Sequence, residues 1–174
     1  MDHEPELQRA ARALATADAL LIGAGAGMGV DSGLPDFRGD GGFWRAYPPY
    51  ARLGLGFVAL ANPRWFATDP ELAWGFYGHR LNLYRATPPH AGFQALRRWA
   101  GRLPHGAFVF TSNVDGHFQR AGFGPERVVE VHGALDWLQC LRGCAGGPSR
   151  VDAAAAHPVA VDEATMRARA PLPA

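Results

Sequence analysis

Three short clusters hold most of the residue types that can do chemistry. The first, Gly23 to Gly39, reads GAGAGMGVDSGLPDFRG and comes directly after the apolar run Ala19-Leu20-Leu21-Ile22. Glycines directly after a buried strand let backbone N–H groups approach a phosphate with no side chain in the way. The ordinary dinucleotide fingerprint G-x-G-x-x-G nevertheless fails at every start, because its last position falls on Met28, Val30 or Ser32. The residues after the glycines are more informative. Asp36, Phe37 and Arg38 set a carboxylate, an aromatic face and a guanidinium in succession between Pro35 and Gly39. Together these groups can recognise a flat, amide-bearing heterocycle and a phosphate. The second cluster is Thr111-Ser112-Asn113-Val114-Asp115-Gly116, a polar tip after a strand-like run, where Asn and Asp can bind a ligand or simply cap a helix. The third is Glu130-Val131-His132-Gly133, whose histidine is the residue type best suited to a general base.

These clusters need elements to carry them to one place. Glu6 to Thr16 alternates Leu and Ala at helical spacing against Arg and Gln, which predicts an amphipathic helix. Ala19 to Ile22 reads as a buried strand, and Gly23 to Gly42 as a long loop, the kind that carries function in a small domain. Thr68-Asp69-Pro70-Glu71 combines a cap residue, a proline for the first turn and an early acid, so a helix is expected from about Pro70 to Ala86. A second amphipathic helix is expected over His90 to Arg102, after the Pro88-Pro89 break. Ala107 to Phe110 and Arg127 to Val131 are strand-like, with a short helix between Asn113 and Ala121. Strand, helix and strand in this order imply a parallel sheet, hence an α/β fold with the three clusters at one sheet edge. Past Gly143 periodicity fades, and no internal repeat is visible.

Composition narrows the partners. The 174 residues are 48% hydrophobic and 19% charged with a formal net charge of +1, in the range of a globular chain. The near-neutral balance, with arginines dispersed among nearly equal acids, argues against nucleic-acid binding. No run of about 18 apolar residues is present, and Met1 to Leu20 lacks a basic then apolar leader pattern, so no membrane association and a cytoplasmic location are expected. All 17 basic residues are arginine.

Taken together, the three clusters resemble the sirtuin family of NAD-dependent protein-lysine deacylases. The family pattern G-A-G-x-S-x-x-S-G-I-P-D-F-R is met by Gly25 to Arg38, and T-Q-N-I-D-G-L-H-x-x-A-G by Thr111 to Gly122 (TSNVDGHFQRAG). The H-G pair after a strand is His132-Gly133. The resemblance implies a Rossmann-like parallel sheet with helices on both faces, incomplete at the C-terminus. Residues 1–40 and 87–136 would form the partial NAD-binding domain, and 41–86 a helical insertion lining the acyl-lysine site. Residues 137–174 would begin a small zinc-ribbon-like module. It makes Gly25, Ala26, Gly27, Asp36, Phe37, Arg38, Ser112, Asn113 and Asp115 the NAD contacts, with Asn113 and Asp115 also catalytic and His132 the general base. In the family's reaction the acyl-lysine carbonyl oxygen attacks C1′ of the nicotinamide ribose and nicotinamide leaves. The histidine then deprotonates a ribose hydroxyl that captures the acyl carbon, giving free lysine and O-acyl-ADP-ribose. Two departures from the pattern matter for the chemistry: Gly29 stands for its serine and Ser112 for its glutamine.

Two further similarities concern acyl choice and metal. Tyr77-Gly78-His79-Arg80 is similar to the Y-x-x-R pair by which one branch of the family binds succinyl and malonyl groups, and positions three apart share a helix face. Cys140 and Cys144 stand where the first of two zinc-ligating cysteine pairs belongs, spaced C-x3-C; a tetrahedral site needs two more ligands, and His157 lacks ligand spacing. The expected partner is an acylated lysine on another protein. The chain reads as an N-terminal piece of a longer sirtuin. Alternatives are NAD hydrolysis or ADP-ribosyl transfer on the same fold, or a catalytically weak NAD-binding or interaction fragment.

Overall fold

The computed structural model describes residues 3–35, 39–143, 147–150 and 159–172. Helix α1 (Glu4–Ala15) leads into strand β1 (Leu20–Ala24). The strand runs two residues beyond the apolar signal, because parallel pairing of Gly23 with Phe110 and Ala24 with Thr111 uses backbone groups alone. The region expected as one long loop contains a helical turn, α2 (Gly27–Val30), and the start of α3 (Gly39–Ala46). Short helices α4 (Pro48–Arg52), α5 (Phe57–Leu60) and α6 (Trp65–Thr68) come next.

Helix α7 spans Pro70–Ala86, as its start signals predict: the Asp69 side chain accepts the Leu72 N–H at 3.2 Å and Pro70 occupies the first turn. Helix α8 (Ala91–Ala100) is capped by His90, and β2 (Ala107–Thr111), α9 (His117–Arg120) and β3 (Val128–Glu130) complete the strand–helix–strand unit. Strands β1, β2 and β3 form a parallel sheet in that order. Its last paired residues, Ala24, Thr111 and Glu130, lie in register, so the segment after each strand leaves the same edge.

Two cores hold the chain together. In one, Ile22 and Val109 of the sheet meet Phe93 of α8, Phe118 of α9 and Phe123, and the alternation of β2 sends Ala107, Val109 and Thr111 inward. On the other face of the sheet Leu21, Phe108, Phe110, Val129 and Val131 are exposed. In the second core Phe43, Tyr47, Tyr50, Leu60, Leu72 and Phe76 pack as a ring cluster, with Phe43 and Tyr50 stacked at 5.9 Å.

The stretch with no periodic signal supplies two small hairpins. Strand β4 (Trp137–Leu138) pairs antiparallel with β5 (Ser149–Arg150), and β6 (Val161–Asp162) with β7 (Arg167–Ala168). The second hairpin docks on α7, and at Gly75 the approach is backbone to backbone. A Cβ at Gly75 would lie 2.0 Å from the Met166 carbonyl oxygen, and one at Gly78 would lie 2.6 Å from Cγ1 of the Val159 side chain. The Asn82 amide both donates to the Val159 carbonyl (2.8 Å) and accepts from its N–H (3.1 Å). Tyr50 Oη donates to the Met166 carbonyl at 3.0 Å, and Arg167 grips Asp69 through two bonds of 2.8 and 2.7 Å. Two-residue strands carry no hydrophobic period, so the sequence could not announce this contact.

Candidate active site

The segments leaving the three strand ends meet at a cavity of about 1220 Å³. Ala26, Ser112, Asn113, Asp115 and His132 line it, and so do Tyr77 and Arg80 from α7 and Cys140 after β4. Gly25 and Gly27 border a shallower hollow along β1. Asp36, Phe37, Arg38 and Cys144 lie outside the described residues, as does His157.

The polar tip after β2 is fixed by its own backbone. Thr111 Oγ1 donates to the Ala24 carbonyl (3.2 Å) and accepts the Asn113 N–H (3.0 Å). Asn113 Nδ2 donates to the Gly25 carbonyl at 2.9 Å, which joins the second cluster to the glycine-rich loop and keeps the amide oxygen as an acceptor. Asp115 Oδ1 accepts the His117 N–H at 2.9 Å, opening α9. One Asp115 oxygen therefore serves structure, and the carboxylate still lines the cavity.

His132 is exposed, and its Nδ1 lies 3.1 Å from the Ser112 carbonyl oxygen. A carbonyl only accepts, so Nδ1 is the donor here, and in the neutral ring the lone pair that a general base requires lies on Nε2. The contact uses the backbone of residue 112 and not its side chain. Serine in place of glutamine at that position therefore leaves the histidine's orientation intact. Gly133, with φ of 75°, turns the chain immediately afterwards, and its N–H donates to the Glu130 carbonyl at 3.0 Å.

Two positioning residues carry no clear signal in the sequence. His90 accepts the Gly92 N–H on Nδ1 (2.9 Å), so its Nε2–H donates to the Met28 carbonyl (3.0 Å), while its own N–H donates to Ser32 Oγ (3.0 Å). It thereby ties the glycine-rich loop to the start of α8; the available signal was a cap residue after Pro88-Pro89. Tyr84 is the other, one turn beyond Arg80 on α7.

At the α7 end of the cavity, Tyr77 is half-buried and stacks on Phe66 at 5.3 Å. Burial raises its pKa above the ordinary phenol value while Arg80 pulls it down, so it remains a hydroxyl donor at neutral pH. Arg80 is 6% exposed, and its guanidinium sits over the rings of Phe57, Phe76 and Tyr84 at 5.1, 5.2 and 5.4 Å. Cys140 is exposed, and among the described residues no group of three or more His, Cys, Asp and Glu side chains assembles to hold a metal. The described residues thus do not by themselves fit a tetrahedral zinc centre.

A family profile described as the Sir2 family matches residues 25–160. The chain belongs to the Sir2 family. Among relatives of this Sir2 chain, NAD-dependent protein deacylase 2 of Pseudomonas aeruginosa is 34% identical over 140 residues, covering 80% of this chain and 53% of that protein. The mitochondrial NAD-dependent protein deacylase sirtuin-5 of Danio rerio is 35% identical over 130 residues, 73% of this chain and 39% of the relative. A solved Sir2 homologue–NAD complex superposes with a TM-score of 0.64 at 28% identity, covering 92% of this chain and 58% of that one. A Sir2 homologue mutant bound to ADP ribose gives 0.65 at 31%, covering 87% and 53%. The chain spans about half the length of the relatives it matches.

Its departures from the family pattern now have physical accounts. Gly29 is buried, and a Cβ there would meet Leu34 Cδ1 at 3.0 Å and Asp115 Oδ2 at 3.7 Å, so Leu34 fills the room a serine would take. The pattern's Leu-His pair is His117-Phe118 here. Phe118 joins the core beneath the sheet, whereas His117 is fully buried with Nε2 on the Thr87 carbonyl (3.1 Å) and Nδ1 without a partner among the described residues.

Proposed function

We propose that this chain carries the nicotinamide-side and acyl-lysine-side walls of an NAD-dependent protein-lysine deacylase. The observation that carries the reading is the contact of His132 Nδ1 with the Ser112 carbonyl oxygen at 3.1 Å, on the cavity wall shared with Asn113 and Asp115, which in the neutral ring leaves Nε2 as the base. NAD supplies the ribose carbon to which the acyl oxygen bonds. In this reading Asn113 and Asp115 orient the nicotinamide ribose, Gly25, Ala26 and Gly27 admit the phosphates, and His132 takes the ribose-hydroxyl proton on Nε2. Asp36, Phe37 and Arg38 are assigned by motif to the remaining NAD contacts.

The cavity's other end supports an acidic acyl group. Tyr77 and Arg80 share one helix face and line the same space, so a phenol and a guanidinium can converge on a terminal carboxylate such as that of succinyl- or malonyl-lysine. Cys140 and Cys144 are kept as half of a structural zinc site, to be tested by metal analysis of the purified protein. A cytoplasmic setting is the matching proposal for location.

The deciding experiment incubates the protein with NAD and acetyl- or succinyl-lysine peptides and monitors nicotinamide. Peptide-dependent nicotinamide release is expected in the wild type. In His132→Ala steady-state turnover to the free-lysine peptide is expected to fall at least about a hundredfold, while the first burst of nicotinamide survives because it leaves before the base acts. Absence of release with every acyl peptide overturns the proposal. Release without peptide assigns NAD hydrolysis instead.

A further inference from the structure

The Tyr-x-x-Arg pair does not account for all the donors at that end of the cavity. Tyr84 lies outside the motif, is 7% exposed and lines the cavity beside Tyr77 and Arg80. Its hydroxyl oxygen accepts two bonds from Arg80, Nη2 at 2.9 Å and Nε at 3.3 Å. A phenol oxygen so engaged can still donate its one proton, and among the described residues that proton has no acceptor. Burial keeps the phenol protonated against the pull of Arg80. Its backbone is held as well, since the Tyr84 carbonyl accepts from Arg120 Nη1, which also binds the Thr87 carbonyl.

We propose that Tyr84 is a specificity-determining residue for a carboxylate-bearing acyl group. It fixes the Nε–Nη2 edge of Arg80 and donates its own O–H to the acyl carboxylate. The inference rests on the acidic-acyl reading of the proposed function and deepens it from a pair to a triad of donors: Tyr77 Oη, the Arg80 guanidinium and Tyr84 Oη. The ring of Tyr84 beneath the guanidinium sets the plane of Arg80, and its oxygen sets the rotation about that plane. An acetyl group has no terminal carboxylate for these donors to bind and gains no such contact from Tyr84.

The test is calorimetric titration of the whole chain with two peptides of one sequence, bearing succinyl-lysine or acetyl-lysine. The proteins are the wild type, Tyr84→Phe, Arg80→Met and the double variant; phenylalanine keeps the ring and removes only the oxygen. Tyr84→Phe is expected to raise Kd for the succinyl peptide about tenfold and to leave the acetyl peptide within about twofold, as for losing one hydrogen bond to a charged group. In the Arg80→Met background the same change is expected to have little further effect, because Tyr84 acts together with Arg80. A wild type that does not favour the succinyl peptide overturns the acidic-acyl reading, and this inference with it. A wild type that favours it while Tyr84→Phe keeps the full preference overturns the role of Tyr84 alone. Equal weakening of both peptides assigns Tyr84 to packing and also overturns the role.

Discussion

Around α7, packing is closed on both sides: an aromatic cluster on one, and on the other a hairpin close enough that Gly75 meets the Met166 carbonyl with no room for a methyl group. The parallel sheet is packed differently, with Phe93, Phe118 and Phe123 under one face and Leu21, Phe110 and Val131 exposed on the other. The difference separates two demands. Under the proposed function the α7 region has to hold Tyr77, Arg80 and Tyr84 at fixed positions along the cavity wall, and contacts on both sides of the helix restrain it. The sheet has only to bring three strand ends into register, which backbone pairing does whether or not its outer face is covered.

The contrast can be broken first within the sheet core. Phe118→Ala empties the covered face and is expected to cost ~4 kcal/mol in urea unfolding, the range for a buried aromatic truncated to alanine. Next, Gly75→Val should cost ~3 kcal/mol, because its side chain must displace backbone rather than a flexible side chain. Protease sensitivity rising first in residues 159–172 would locate that damage at the docked hairpin, and sensitivity rising in the sheet instead would contradict the close-packed account. Asp69→Ala removes both the α7 cap and the two bonds to Arg167, for an expected loss of ~1.5 kcal/mol.

A fourth substitution tests a buried polar group at the boundary of the two regions. Burial lowers the His117 pKa below its ordinary 6.5, outweighing the pull of Asp115. The folded state therefore favours the neutral ring, and its stability falls as pH drops below 6.5 toward the lowered folded value. His117→Leu leaves the Thr87 carbonyl with its Arg120 bond and removes the unpartnered Nδ1. It should raise stability by ~1 kcal/mol at neutral pH, and melting curves at pH 8 and pH 5 should converge relative to the wild type. Smallest of all, Phe110→Ser on the open face should change stability in urea unfolding by less than ~0.5 kcal/mol. A loss comparable to that of Phe118→Ala would mean that the outer face is covered after all.

Much of this was legible in the residues. Asp69-Pro70-Glu71 marked the start of α7, leucine and alanine spacing marked α1, and the three clusters carried their own chemistry and, by resemblance, their family. The β6–β7 hairpin was not legible, because its affinity for α7 lies in two missing side chains, Gly75 and Gly78, and in one amide, Asn82, that reads as solvent-facing in a linear pattern. Nor was the interruption of the glycine-rich segment by α2, where local turn bonds overrule a composition that suggests irregular loop.

What the sequence determined by itself was the set of reactive groups and the order in which they leave the strands, since both derive from residue type and periodicity. Only the tertiary structure decided which ring nitrogen of His132 keeps its lone pair and which oxygen holds Arg80. Those depend on a carbonyl 20 positions away in the chain and on the rotation of a guanidinium among three rings. Directional hydrogen bonds are fixed by atoms that folding brings together, and spacing along a chain does not contain them.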